Sequence, residues 1–497
     1  MAPIVTTTSG AVRGHTEAGV TRFLGVPFAA APVGPKRFQL PEAAPAWEGV
    51  REATVMGATC AQTPYPAPIH ALIGSDGIPG EEYLNANVWT PDSAASGLPV
   101  LVWIHGGAFV RGSNARAIYD GTAFARDGVV MVGINYRLGV SGFAEIEGAP
   151  SNRGLHDQIF ALRWVRENIA AFGGDPDNVT IFGESAGAMS VAALIAAPQT
   201  AGLFRRAIMQ SGNGAVAADP EDARKVSAAL AAELGISPTA RDFGKLGPDE
   251  LRTAQNAVAL AVMTDPDPRR WGNSVIQLGG GIMSLFPVID DDIVEGPPTE
   301  VLRAHPDRAV PLIAGTTADE FRFFTVPAGL AAAVTTDTLP FVLTRYGIDP
   351  AVAQIYSAER PDATPAEIFN AVLTDLSFRS GTYDFAEASA IATSTHVYEF
   401  AWPTSLPGLG ACHVLEVPFV FDTIDDAHTL TGPTPPQALA DEIHAAWVAF
   451  ATDGTTGWAP FTTDEKNVRI FDSPESATVT DPRATELAAL RKAIAPA

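Results

Sequence analysis

Cysteine is scarce in this chain: Cys60 and Cys412 are the two among 497 residues. They form no CxxC pair and are too few for a disulfide framework, which excludes a disulfide-stapled secreted fold and a thiol-based metal or redox motif. Basic residues are also few. Lys and Arg number 32 against 56 Asp and Glu, a formal net charge of −24. A polyanion of this size repels nucleic acid and anionic membranes, so neither is expected as a partner. No uninterrupted apolar run reaches about 18 residues, so no membrane span is predicted. The opening MAPIVTTTSGAVRG lacks a basic start followed by an apolar stretch. No signal peptide is predicted, and the cytoplasm is the expected compartment. The one sequon, Asn178-Val179-Thr180, then reads as chance. HExxH, a P-loop and a strand-borne GxGxxG are all missing, which removes metal hydrolysis and nucleotide use; no cofactor is expected.

What is present is an ordinary globular composition, 46% apolar and 18% charged. There is no repeat, and the Pro-rich stretches TPYPAP, EGPPTE and TGPTPPQ are short and read as loops. Strand-like runs (LPVLVWIHGG, GVVMVGINYR, VTIFG, LFRRAIMQSG, VPLIAGTTADE, HVYEFAWP) alternate with helix-like ones. In LHDQIFALRWVRENIAAFGG, residues Ile159, Leu162, Val165 and Ile169 keep helical spacing and Gly173-Gly174 ends the helix. A closing helix is expected from about Gln437 to Thr452. The pattern predicts an α/β fold with a large, mostly parallel sheet covered on both faces. The Ala-rich helical region 220–268 reads as an insertion over the sheet edge.

NVTIFGESAGAMSVAAL, residues 178–194, places Gly183-Glu184-Ser185-Ala186-Gly187 between a strand and a helix. That is the context a G-x-S-x-G nucleophile elbow requires: a tight turn lifts the serine hydroxyl above the sheet at a helix N-terminus. A serine needs a base to take its proton and donors for the oxyanion. The amide of Ala186 supplies one donor by position. The Gly-rich turn His105-Gly106-Gly107-Ala108, after an earlier strand, supplies the others.

Nine histidines compete for the role of base. In chain order the acid and then the histidine follow the serine, which removes His15, His70, His105 and His156. His305 precedes a strand, His396 lies within one and His444 lies mid-helix. His413, in the loop LPGLGACHVLEVPF, remains, with His428 as competitor. For the acid, Asp319 and Glu320 stand side by side past a strand end, and spacing does not separate them.

Together these segments resemble the type-B carboxylesterases of the α/β-hydrolase superfamily, a group that includes bacterial p-nitrobenzyl esterases, actinobacterial carboxylesterases and the animal cholinesterases. The likeness runs through FLGVPFAAAPVGPKRF, NVWTP, VWIHGGAF, INYRLG, the long block ending in GESAGA, QSG, GTTADEF and GACHVLEVPFVF. It implies one α/β-hydrolase domain over 1–497, with helical insertions over an active-site gorge, chiefly at about 215–300. It further implies Ser185 as nucleophile, His413 as general base and then acid, and Glu320 as the carboxylate that orients it. The oxyanion donors become the amides of Gly107, Ala108 and Ala186. Glu184 and Ser211 fall where the family keeps polar groups near the histidine; Phe323 and Phe324 fall where aromatics line the gorge or simply pack. There are departures. Ala108 replaces a third glycine but keeps its amide. Tyr83 stands where exported members have the cysteine that pairs with the one at Cys60, so the loop between Cys60 and Tyr83, which can border the gorge, loses its staple. Cys412 beside His413 reads as a packing residue.

The implied activity is hydrolysis of small to medium carboxylic esters, aryl or short-chain acyl, through an acyl-enzyme. A carbamate or activated amide is the alternative, since one triad serves both. A non-catalytic adhesion module, as in neuroligin-like relatives, would have lost the serine. The expected partner is the small-molecule ester alone, bound by a monomer or small homo-oligomer.

Overall fold

Apolar runs buried on both faces build the sheet. In the strand Leu98–Ile104, Val100, Val102 and Ile104 face one core, while Leu101 and Trp103 face the other. Successive residues of a strand point to opposite faces, so a strand covered on both sides must be apolar throughout. The computed structural model describes residues 2–74 and 77–494. Among these, eleven strands form one sheet. Its centre is parallel, in the spatial order Val130–Ile134, Leu98–Ile104, Gly174–Glu184, Arg206–Gln210, Leu312–Thr317, Thr395–Phe400, Asn467–Phe471. Antiparallel strands close both ends: Asn85–Thr90, Val20–Pro27 and His15–Glu17 on one side, Ala477–Thr480 on the other. A separate three-stranded sheet lies at the N-terminus.

Helices cover both faces. Arg153–Asn168 runs on through a 3₁₀ turn, Ile169–Phe172, and stops at Gly173, whose φ of 90° a side chain would resist. Under the opposite face Trp103 packs on Phe182 and Phe421 at ring distances of 4.7 and 5.0 Å. Arg137, just past the strand Val130–Ile134, forms a fully buried ion pair with Asp157 at 2.7 Å.

One expectation needs correction. The helix Gln437–Asp453 does not close the chain: two strands and the helix Ala484–Ala493 follow it. Asn467–Phe471 interleaves polar residues and Ala477–Thr480 is an exposed edge, so neither carries an apolar run. The insertion after residue 215 does form helices, Pro220–Leu234, Pro248–Thr264 and Asn273–Gly279 among them. Leu278, Ile282 and Met283 of this insertion reach the central pocket. A second helical excursion, unforeseen, separates the strands Leu312–Thr317 and Thr395–Phe400; it includes Leu339–Arg345, Val352–Glu359, Pro365–Thr374 and Ser380–Ala390.

Removing one partner of a buried ion pair strands the other charge in the core. Asp157→Ala is therefore expected to lower unfolding free energy by about 3–5 kcal/mol, read from urea denaturation.

Candidate active site

Ser185 joins the strand Gly174–Glu184 to the helix Ala186–Ala196 with φ 55° and ψ −123°. This conformation is strained for any residue with a Cβ and costs of order 1–3 kcal/mol. Backbone bonds on both sides hold it: the Ser185 amide donates to Gln210 O and its carbonyl accepts from the Met189 amide, each at 2.9 Å. The flanking glycines are required by close approach. A Cβ on Gly187 would stand 2.0 Å from Ile104 O, and one on Gly183 would stand 2.6 Å from the Gly187 carbonyl carbon. Ser185 is partly exposed at a junction whose neighbours are buried.

The strand Leu98–Ile104 ends in a turn with positive φ at Gly107 (117°), Ala108 (55°) and Phe109 (60°). His105 anchors it from below. The ring stacks on Tyr136 at 4.5 Å, its Nδ1 lies 2.8 Å from Gly106 O, and the Tyr136 hydroxyl donates to His105 O at 2.7 Å. Burial pushes His105 down to about 4, so the ring is neutral at physiological pH. Gly107 and Ala108 line the same pocket as Ser185, and among the described residues their amides have no hydrogen-bond acceptor. The Ala186 amide, at the first helical position, has no intrahelical acceptor either.

His413 arrives on the loop after Thr395–Phe400. Its Nδ1 lies 2.5 Å from Glu320 Oε2, and its Nε2 lies 3.0 Å from Glu184 Oε1. Glu320 is fully buried and its Oε1 accepts from the Thr317 amide at 2.8 Å. The neighbouring carboxylates diverge. Asp319 clasps the loop ahead of His413: its amide donates to Ala411 O at 2.9 Å and its Oδ2 accepts from the Ala411 amide at 3.1 Å. His428 lies on the surface helix His428–Thr431, its Nδ1 3.2 Å from Gly432 O, and does not line the pocket.

The carboxylesterase-family model matches residues 1–489. The chain belongs to the carboxylesterase family. It is 37% identical to the para-nitrobenzyl esterase of Bacillus subtilis over 489 residues, 95% of each chain. It is 33% identical to the phenmedipham hydrolase of Pseudarthrobacter oxydans over 487 residues, 94% of each. Among solved structures, the carboxylesterase of Geobacillus stearothermophilus superposes with a TM-score of 0.85 at 36% identity, covering 98% of this chain and 99% of that one. The protein is a carboxylic ester hydrolase with the α/β-hydrolase fold.

In this carboxylesterase the imidazole is held between two carboxylates. Burial pushes the His413 pKa down, but the charges of Glu184 and Glu320 push it up further, leaving it well above the usual histidine value. Sequence reasoning missed Glu416, a third buried carboxyl, although it stands as a lone charge three residues after His413 in an apolar run. Burial, reinforced by Glu184 and Glu320, pushes it up to about 8. Burial beside two carboxylates thus disfavours a third negative charge in the cluster. Its Oε1 lies 3.5 Å from Gln210 Nε2, and Gln210 Oε1 accepts from the Trp447 indole at 3.1 Å.

Ser185 and His413 line one pocket. The imidazole Nε2 nevertheless has Glu184 as its partner, and the Ser185 hydroxyl makes no hydrogen bond among the described residues. Such contacts commonly tighten only with substrate in place. Glu184 is thus in direct contact with the ring. Ser211, after the strand Arg206–Gln210, donates its amide to Gly315 O at 2.8 Å; its buried hydroxyl has no partner among the described residues, and it does not line the pocket. Phe323 and Phe324 both pack and line. Their rings lie 6.0 and 5.2 Å from His413.

The nearest ring to His413 belongs to Phe378, at 4.8 Å, and the sequence did not flag it. It sits on a π-helical turn, Asp375–Arg379, a feature frequent at functional sites. The next residue, Arg379, is buried beneath: it pairs with Asp375, lies 3.2 Å from Glu399 and donates to Thr317 O and Ala318 O, each at 3.1 Å. It so braces the turn that carries Glu320. No sequence signal marks a π turn, because the surrounding packing creates it.

The pocket encloses about 130 Å³. Tyr65, Ile69 and Ile73 line it from the loop between Cys60 and Tyr83, Ile69 and Ile73 on the helix Ala67–Ile73; residues 75 and 76 of that loop lie outside the described residues. Cys60 and Cys412 are free and buried, and burial raises both thiol pKa values, Cys60 to about 11. Neither is a ready nucleophile. Among the described residues no cluster of three His, Cys, Asp or Glu could hold a metal ion.

The sign of the Glu184 contribution is testable. Its charge stabilises the imidazolium, so Glu184→Gln is expected to let His413 lose that proton at lower pH than in the parent protein, as read by ¹⁵N NMR of labelled histidine. An unchanged or higher transition would contradict the placement of charge.

Proposed function

We propose that Ser185, His413 and Glu320 form the catalytic triad of this carboxylesterase, with the amides of Gly107, Ala108 and Ala186 as the oxyanion hole. The observation that carries this is the pairing of His413 with Glu320 in the pocket where the strained Ser185 turn presents its hydroxyl. In its neutral form, reached on loss of the Nε2 proton held toward Glu184, the His413 imidazole takes the serine proton at Nε2 as Oγ adds to the ester carbonyl carbon. The carbonyl oxygen gains negative charge at the amides; each such donor is typically worth roughly 10²–10³ in rate. The imidazolium, steadied by Glu320, then protonates the departing alkoxide, leaving Ser185 acylated. Water gives a proton to His413 as it adds to the acyl carbon; the bond from that carbon to Ser185 Oγ then breaks, His413 returns the proton to Oγ, and the acid leaves. Glu184, on the side of the ring facing Nε2, favours the imidazolium formed midway.

The small apolar pocket suits a short acyl or aryl ester. A carbamate or activated amide is the second reading, supported by one relative being a phenmedipham hydrolase. Retention of the serine, histidine and acid together argues against a binding module. We read the chain as one domain, the helices of residues 215–300 lying over the pocket, and the enzyme as bacterial and cytoplasmic on the strength of its bacterial relatives and two unbridged thiols. Among the described residues no helix is long and apolar enough to cross a membrane.

Ser185→Ala is expected to cut turnover of p-nitrophenyl acetate by roughly 10⁴–10⁶ while circular dichroism stays unchanged. Undiminished activity would remove Ser185 from the mechanism. Rates on matched ester and carbamate pairs separate the two substrate readings.

A further inference from the structure

Taking a guanidinium out of water is costly unless its charge and its N–H donors are answered. Deep in this chain they are. Arg137 pairs with Asp157, Arg379 pairs with Asp375 and Glu399, and Arg153 donates to Ser141 O and Ala144 O, each at 2.7 Å. Arg111 differs. It lines the pocket of Ser185, yet its side chain makes no hydrogen bond or ion pair among the described residues, and its Nε is buried. Its guanidinium carbon lies over the Tyr65 ring, 5.0 Å from the centroid. Glu184, the carboxylate lining the same pocket, is engaged with His413.

A second cation lines this pocket. Arg116 lies over the same ring at 5.1 Å, and its Nη2 donates to Gly74 O at 3.3 Å. Burial, with the nearby charge of Arg116, pushes Arg111 below the ordinary arginine value, although an arginine stays charged. Two positive groups thus meet in one small pocket of a chain whose formal net charge is −24. The turn that carries Arg111 is held in place. Its amide donates to Gly107 O at 3.1 Å. Gln62 clasps the next residue, accepting from the Gly112 amide at 2.7 Å and donating to Gly112 O at 2.9 Å. Arg111 is therefore tied to the same turn as the Gly107 and Ala108 amides.

A guanidinium lying on a ring face keeps its N–H donors at its edge, in the fork that matches a carboxylate. We infer that Arg111, beside Arg116, receives a carboxylate carried by the substrate, so that the enzyme prefers anionic esters, such as half-esters of short dicarboxylic acids, to their neutral counterparts. This rests on the ester-hydrolase mechanism above and names a substrate class for it. The scissile carbonyl sits at Ser185 while the carboxylate docks at Arg111. Both residues line a space of about 130 Å³, and a void of about 150 Å³ binds one benzene, so the arm joining the two groups is short. The carboxylate lies away from the reacting carbon and meets Arg111 equally in ground and transition states. Its loss therefore raises KM more than it lowers kcat.

The test uses the full-length enzyme at about pH 8, well above carboxylate pKa values, and isosteric pairs that differ in charge. Monoethyl succinate, glutarate and adipate are each set beside the ester whose free carboxylate is a primary amide, which probes the acyl arm. 4-Acetoxybenzoate beside 4-acetoxybenzamide probes the alcohol arm. In at least one pair the parent enzyme is expected to favour the anionic member tenfold or more in kcat/KM. Arg111→Met should cut that preference at least fivefold, chiefly through KM; Arg111→Gln repeats the comparison if the methionine variant does not fold. A parent preference below tenfold in every pair overturns the inference without any variant. So does a preference that changes less than fivefold when Arg111 is replaced, including the case in which both members of a pair lose activity equally. Failure of the mechanism reads differently, as p-nitrophenyl acetate turnover surviving Ser185→Ala.

Discussion

The His413 imidazole sits buried between two carboxylates, and the rest of the site is arranged around that contact. Glu320 and His413 are 93 positions apart and come from loops after different strands. A buried charge is tolerable only when paired and hydrogen-bonded, so each member needs its own support. The Thr317 amide occupies the second oxygen of Glu320, Asp319 clasps the histidine loop at Ala411, and Arg379 ties down the carbonyls of Thr317 and Ala318. Charge then decides protonation. Glu184 and Glu320 favour the imidazolium, and burial beside them pushes the carboxyl of Glu416 upward.

Backbone strain is concentrated in the same place. Ala108, Phe109, Ser185, Ser211 and Val414, next to His413, all have positive φ. Each is unfavourable alone and persists only where the surroundings overdetermine it. The surroundings here are the parallel sheet and its two cores, which fix the strand ends from which these turns depart. The rigid scaffold and the strained turns are thus one system: the sheet supplies the stability, and the turns present amides and a hydroxyl to a single pocket.

Much of this was legible in the sequence. Strands buried on both faces read as continuous apolar runs, and the helix Arg153–Asn168 kept its period. The glycines at 183 and 187 announced a close approach, which the contact with Ile104 explains. Elements with weak local signals were lost: the half-polar strand Asn467–Phe471, the exposed edge Ala477–Thr480 and the helices between residues 322 and 390, whose burial depends on partners far along the chain. Phe378 and Arg379 belong to that last group, and Phe378 meets Phe324 in a parallel stack at 6.1 Å.

Sequence alone determined the family, the succession of the apolar strands, and the two turns at Ser185 and Gly107, because turn geometry is set by a few adjacent residues and by where glycine permits close contact. Tertiary structure alone decided the separate contacts of Asp319 and Glu320, the resting contact of the imidazole with Glu184 and the burial of Glu416 beside those carboxylates. Those are matters of distance and dielectric between residues far apart in the chain, and electrostatic energy and cavity shape exist only once the chain has brought them together.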